Sequence, residues 1–330
     1  MSFLLYLRLT IFVFFYILIK LYFRKKETFS IFVDEISSNL FTIIPAKNYA
    51  PKKPVLIFSA HFDSIISRFS YRFTRILNII MKIILLPLYS FVLILSVILL
   101  FDDFFGLSTS IYPFYIYLIL FSSIISIFFA PLYIFMFKRN TKESQGAVDN
   151  ASGVSILIEL AKYYKLHPLE NYDVLFLWCG AEEWGMRGSK YFCKKYMPYL
   201  RKEYSLNHSV NINIDMVGSH IGLLNKPRLA VLNRNKKLLE QINFSADLLN
   251  IPLSNHSKLI RPKSDHLSFK KNTRRLRQRG FQIACINSIK DTKLIHTIKD
   301  TPEECSIENL FGCFKICLFT SRLLDSEVSG

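Results

Sequence analysis

Hydrophobic positions along this chain follow two regimes. Before Lys138 three stretches form long, nearly unbroken blocks; between the first two of these and beyond Lys138 they come in short clusters of strand or helix length. Phe3 to Phe23 is apolar except at Arg8 and Lys20, long enough to span a bilayer with both cations snorkelling from its ends. The residues that follow (Leu21-Tyr22-Phe23-Arg24-Lys25-Lys26) offer no small-residue cleavage site, so an uncleaved anchor is expected rather than a signal peptide. Ile76 to Phe101, interrupted by Lys82, and Ile111 to Phe137, without charge, are apolar on every helical face. Both read as transmembrane helices, with Pro87, Pro113 and Pro131 as kinks or ends. The expectation is therefore three transmembrane helices, an anchor over residues 1–27 and a hairpin over 76–137.

The second regime alternates strand and helix. Val55 to Ala60 (VLIFSA) is a short apolar strand after a Pro-Lys-Lys-Pro turn. Val154, Leu157, Ile158 and Ala161 recur at helical spacing, and Val174 to Trp178 (VLFLW) is a buried type of strand. Val210 to Ile214 (VNINI) and Phe281 to Ile286 (FQIACI) complete the series. Strands separated by helical stretches predict an α/β domain with a mixed, largely parallel central sheet flanked by helices.

Composition changes this picture in a few places. The chain of 330 residues carries a formal net charge of +17, which invites a nucleic-acid reading. Much of that charge flanks the apolar blocks, at Arg24-Lys25-Lys26, Arg68, Arg72, Arg75 and Lys138-Arg139, while the Asp102 to Ser110 link holds two Asp and no cation. Under the positive-inside bias this predicts an integral protein of the cell membrane, with the bilayer as a partner and the catalytic part facing the cytoplasm. The basic run Lys270 to Arg279 (KKNTRRLRQR) lacks interleaved stacking aromatics and reads as a solvated loop, so no nucleic-acid partner is expected. The six cysteines contain no C-x-x-C pair and read as reduced, mostly buried thiols.

Residues able to hold a metal follow the apolar strands. His61 and Asp63 come directly after VLIFSA, Glu182 and Glu183 follow VLFLW through Cys179-Gly180-Ala181, and Asp215 ends VNINI. Ligands of open α/β sheets bind outside the carboxyl ends of the strands, so these side chains should meet at one rim. Taken singly, each has a plainer explanation: a polar pair, a solvated acidic face, or, for Asp149-Asn150-Ala151-Ser152-Gly153, a loop and a helix cap. Their order carries the signal. Adjacent residues in an extended turn point opposite ways, so one glutamate of the pair can ligate while the other faces water; the residues alone leave open which does which.

The ordered set HFD (61–63), GAVDNASG (146–153), GAEEWGMRGS (180–189), NIDMVG (213–218), SDHLSF (264–269) and HTIKDTPE (296–303) resembles the co-catalytic zinc aminopeptidases of metallopeptidase family twenty-eight, which also includes glutamate carboxypeptidase-like members. The resemblance implies a peptidase domain over 28–75 and 138–330 and two zinc ions. It makes Asp149 the carboxylate bridging both metals, with His61 and Asp215 completing one site and Glu183 and His296 the other. It makes Glu182 the general base, acting on a hydroxide held between the ions, and Asp63 the acid that orients His61 by accepting its other ring proton. A cis peptide is implied between Asp149 and Asn150, and Ser264, Asp265 and His266 are implied to line the substrate pocket. The family commonly has Pro where Ser268 stands. His167, His208, His220 and His256 lack motif context and read as structural or surface residues. The implied activity is that of an aminopeptidase acting on a peptide; its expected binding to a membrane comes from the apolar blocks, which the resemblance does not explain. The alternatives are a carboxypeptidase or amidohydrolase taking another small amide at the same metal site, or a scaffold that has lost the chemistry.

Overall fold

The computed structural model describes residues 36–66, 71–105, 113–122, 124–125, 144–224, 235–256 and 263–328. They fall into two compact units, one from the described part of 67–141, the other from Ile36–Ile66 and the described residues from 144 onward.

In the first unit, helix α1 (Tyr71–Ile80) runs into a wider π-type turn (Met81–Leu85) and then helix α2 (Leu86–Phe105). Leu85, Tyr89 and Val92, at i, i+4 and i+7, are buried against Leu118, Ile119 and Ile125. Leu95 packs similarly against Tyr115. Among the described residues no helix is long and apolar enough to cross a membrane. This corrects the expectation of transmembrane helices at 76–101 and 111–137, and with it the expectation of an integral membrane protein oriented by its cations. The physical reason is that the apolar run from Ile76 is not one helix: it is divided at Met81–Leu85, α2 runs into the Asp102–Asp103 pair, and one stripe of it packs on other residues of the unit. The Phe3 to Phe23 block and, of the 111–137 run, residues 111–112, 123 and 126–137 lie outside the described residues.

The second unit is built on a seven-stranded sheet. Its strands are β1 (Leu40–Ile44), β2 (Val55–His61), β3 (Asp173–Cys179), β4 (Val210–Ile214), β5 (Ile221–Leu224), β6 (Leu253–His256) and β7 (Gln282–Ile286), in the order β1-β3-β2-β4-β7-β5-β6. The central β3, β2, β4 and β7 are parallel, while β1 and β5 join antiparallel. All seven residues of β2 are buried, as expected of a parallel strand covered on both faces.

Period-two alternation divides the core. Leu56, Phe58 and Ala60 of β2, Val174 and Phe176 of β3, and Ile212 and Ile214 of β4 face one way. They meet helix α3 (Ser152–Leu166), α5 (Lys236–Leu248) and α7 (Ile307–Ser326) through Leu157, Leu160, Ile242 and Ile316. Val55, Ile57, Leu175, Leu177 and Cys179 face the other way, onto Phe192, Met197 and Leu200 of α4 (Arg187–Glu203) and Phe269 of α6 (His266–Arg275). The α/β expectation holds for this unit. The basic run is not a loop: Lys270 to Arg275 form most of α6, anchored by buried Phe269 and Thr273, with Lys271, Arg274 and Arg275 exposed to solvent. All six cysteines are free.

Candidate metal centre

Strand β2 lies between β3 and β4, so its neighbours bring their carboxyl ends to the same rim as its own. His61 is the last residue of β2 and pairs in register with Cys179, the last of β3. Glu182 and Glu183 follow β3 by a turn, and Asp215 directly follows β4. The fourth contribution comes from an irregular turn, Ala147–Ala151, that leads into α3; Asp149 and Asn150 have non-helical backbone angles there and the peptide bond between them is cis. His296 arrives from the segment after a short 3-10 turn, Ile289–Lys293.

These side chains converge. His61 Nε2 lies 3.1 Å from Asp149 Oδ1 and 3.4 Å from Asp215 Oδ1. His296 Nε2 lies 2.8 Å from Glu183 Oε1 and 3.3 Å from Asp149 Oδ2. Two donor groups result, His61–Asp149–Asp215 and Asp149–Glu183–His296, with Asp149 common to both. Each of its two oxygens faces a different histidine. Glu182 is in neither group, although it is buried beside them.

Electrostatics supports a cation here. Asp149, Glu182 and Asp215 are no more than 9% exposed, and among the described residues no Lys or Arg pairs with them or with Glu183. Carboxylates at this density, faced by two histidines and no Lys or Arg among the described residues, are costly away from water. The protein's own response is visible in its proton affinities. Burial, with neighbouring Asp149, pushes the Glu183 carboxyl up to about 6, and burial likewise carries Glu182 well above the usual carboxylate range. Burial alone would lower the His61 imidazole, but hydrogen bonds to Asp149 and Asp215 raise it well above its ordinary value. His296 rises against the same burial through Glu183 and Asp149. A dication accepting imidazole nitrogen and carboxylate oxygen would replace those protons, and this donor set is the one zinc takes.

The supporting contacts differ from expectation at Asp63. Its carboxylate accepts from the main-chain N–H groups of Glu182 (2.9 Å) and Glu183 (3.1 Å). His61 Nδ1 instead meets the Asp63 main-chain carbonyl at 3.0 Å, the carboxylate lying 3.8 Å away. A carbonyl can only accept, so it fixes the same ring tautomer that a carboxylate would. Ser264, Asp265 and His266 stand at the start of α6 and are buried, and Ser264 Oγ accepts from Asn213 Nδ2 at 2.7 Å. Burial pushes the Asp265 carboxyl up to about 6.

Asn150 and Asp300 hydrogen-bond the ligand-bearing turns, contacts that the pattern of ligand-type residues does not reveal. Asn150 Oδ1 accepts from the N–H groups of Gly153 and Met216, and its Nδ2 donates to Ile214 O at 3.0 Å, pinning both sides of Asp215. Three ligand-bearing turns also hold a non-glycine residue in the left-handed region: Ala181 (φ 53°), Met216 (φ 77°) and His296 itself (φ 61°). An Asx residue directly after a predicted ligand was the available signal for Asn150.

Residues 134–320 match the model of Peptidase family M28. Over 76 residues the chain is 38% identical to Aminopeptidase YwaD of Bacillus subtilis (strain 168), a stretch of 23% of this chain and 16% of that protein. It is 35% identical over 77 residues to a Probable zinc metalloprotease of Pyrenophora tritici-repentis (strain Pt-1C-BFP), again 23% and 16% of the two chains. Among solved structures, BSAP, a zinc aminopeptidase from Bacillus subtilis, superposes with a TM-score of 0.50 at 20% identity, covering 86% of this chain and 48% of that one. A glutaminyl cyclase from an Acidobacteriales bacterium gives 0.51 at 16% identity, covering 88% and 74%. At such identities the solved structures share the fold. The chain spans about half of the aminopeptidase structure, and its match to the curated relatives takes in a small part of each.

Proposed function

The chain belongs to Peptidase family M28, and from that membership and the geometry of the rim we propose that it is a zinc-dependent aminopeptidase binding two metal ions. The observation that carries the reading is Asp149: one buried carboxylate whose two oxygens each face a histidine of a separate donor group. His61 and Asp215 would hold one ion with it, and Glu183 and His296 the other. Bound zinc supplies Lewis acidity, polarising a peptide carbonyl and making water acidic enough to attack near neutral pH.

The rest is done by the chain's own groups. Glu182 stands outside both donor groups with a buried carboxylate, so it is free to take a proton from attacking water and return it to the departing amine nitrogen. Asp63 holds the Glu182–Glu183 main chain by both its N–H groups, which keeps the ligating and proton-moving carboxylates in fixed relation. The Bacillus subtilis relative is named an aminopeptidase, which supports removal of an N-terminal residue rather than a C-terminal one.

The test uses the full chain in zinc-loaded and chelated forms against peptides with free N-termini, acylated N-termini and acidic C-terminal residues. Cleavage of free N-terminal residues should vanish on chelation and return with zinc. Preference for acylated N-termini would replace the aminopeptidase reading with an amidohydrolase or carboxypeptidase one; metal uptake without hydrolysis of any peptide would remove the enzyme reading.

A further inference from the structure

Asp300 is fully buried and belongs to neither donor group. It lies on the segment that carries His296, yet its side chain reaches the segment that carries Asp149. Its Oδ1 accepts from Val148 N at 2.6 Å and its Oδ2 from Asp149 N at 3.3 Å. Its main-chain N–H donates to Thr297 O at 3.2 Å, closing the turn after His296, and its carbonyl accepts from Ala147 N at 3.5 Å. One residue therefore closes one ligand-bearing turn and holds three consecutive amides of another. The two turns meet where His296 Nε2 faces Asp149 Oδ2.

We infer that Asp300 is a positioning residue for the metal centre, setting the spacing between the shared carboxylate of Asp149 and the imidazole of His296 without ligating either ion. The inference rests on reading the rim as a zinc site. Its physical content is a count of acceptors. In this geometry the Val148 and Asp149 N–H groups each face a different oxygen, and an amide side chain in the same place presents an oxygen to only one of them. With asparagine at 300, one of the Val148 and Asp149 amides would face an NH2 group, and a buried donor without an acceptor drives the turn to another arrangement. Asp149 faces both histidines, so displacing its turn weakens both donor groups together.

Asp325 provides an internal control. Its carboxylate also anchors main chain, accepting from Glu170 (2.8 Å), Asn171 (2.8 Å) and Tyr172 (3.1 Å), none of them a residue of the rim. The experiment titrates chelated full chain with zinc against a competing chelator and records the visible absorption of the cobalt-substituted form. D300N should bind zinc about 10- to 100-fold more weakly than the parent, the usual effect of removing a group that orients a ligand, and should shift the cobalt bands. D325N should lower the thermal midpoint while keeping parental zinc affinity and cobalt bands.

Parental affinity and spectrum in D300N would overturn the inference, as would an equal loss of affinity in D325N, which would mark a general effect of destabilisation. Should D300N fail to fold, Asp300→Glu keeps the charge but moves it; weakened zinc binding there supports the inference and parental binding overturns it. A parent that takes up no zinc would instead refute the metal reading on which this one rests.

Discussion

Glu182 and Glu183 are chemically identical neighbours separated by where their carboxylates lie. Glu183 Oε1 sits 2.8 Å from His296 Nε2 inside a donor group, whereas Glu182 is buried beside both groups and belongs to neither. Replacing Glu182 by glutamine keeps volume and hydrogen-bonding capacity but removes the site of proton acceptance. Glu182→Gln is expected to keep zinc stoichiometry and lose about 100- to 10,000-fold in kcat, the range for loss of a general base. Elemental analysis beside steady-state kinetics on an aminoacyl-anilide checks this. Parental turnover in that variant would leave Glu182 without a catalytic role. Asp63 and Asp300 show a second kind of residue-level work, an acidic side chain that faces backbone amides of a ligand-bearing turn. An Asp reads the same in sequence whether it faces a metal, an imidazole or a pair of N–H groups, and so the family resemblance pairs His61 with the Asp63 carboxylate where the Asp63 backbone carbonyl makes the contact.

Among elements, the central strands were legible because their burial is two-sided. VLIFSA, VLFLW and VNINI are short runs of the kind a covered parallel strand gives, and each is followed within four residues by a ligand-type residue. Strands β1, β5 and β6 gave no such signal: β1 is largely exposed and β5 and β6 have four residues each, so propensity and pattern had little length on which to act. Yet the approach to β1 supports the site. Asn39 Nδ2 donates to Gly188 O at 2.9 Å and Asn39 Oδ1 accepts from Gly180 N at 3.1 Å, clasping the two ends of the turn that carries Glu182 and Glu183. Gly188 is needed for that closeness. A Cβ there would lie 2.1 Å from Gly180 O and 2.3 Å from Asn39 Oδ1. Gly188→Ala must therefore part the start of α4 from the end of β3, and is expected to cost about 1–3 kcal/mol of stability as an overpacking change. It should also lower kcat/KM, since the Glu182 turn moves with it. Urea unfolding and kinetics on one preparation decide; an unchanged midpoint would mean that the turn absorbs the methyl group elsewhere.

Over the whole molecule, the donor groups tie stability to pH with a definite sign. In metal-free protein His61 and His296 have folded-state affinities for protons above their ordinary ones. Their stabilisation is fully present below about pH 6.5 and is lost as pH rises through the folded values. Glu183, pushed up to about 6, acts in the same direction. Between its ordinary range and that value the folded protein binds more protons than the unfolded chain, so stability falls with rising pH and the full penalty stands above about 6. Asp149, held below the usual carboxylate range by His296 and His61 despite its burial, works oppositely, but its effect is already complete above about pH 4. From about pH 5 upward the chelated protein should therefore lose stability. Zinc takes the places of these protons, so its binding strengthens over the same interval and stabilises the folded state by mass action. The gap in thermal midpoint between zinc-loaded and chelated protein is thus expected to widen from about pH 5 to about pH 8, and His296→Ala to narrow it most at the upper end. Scanning calorimetry of both forms across that interval measures it. A gap that stays constant with pH would show that metal binding and protonation do not compete for the groups at this rim.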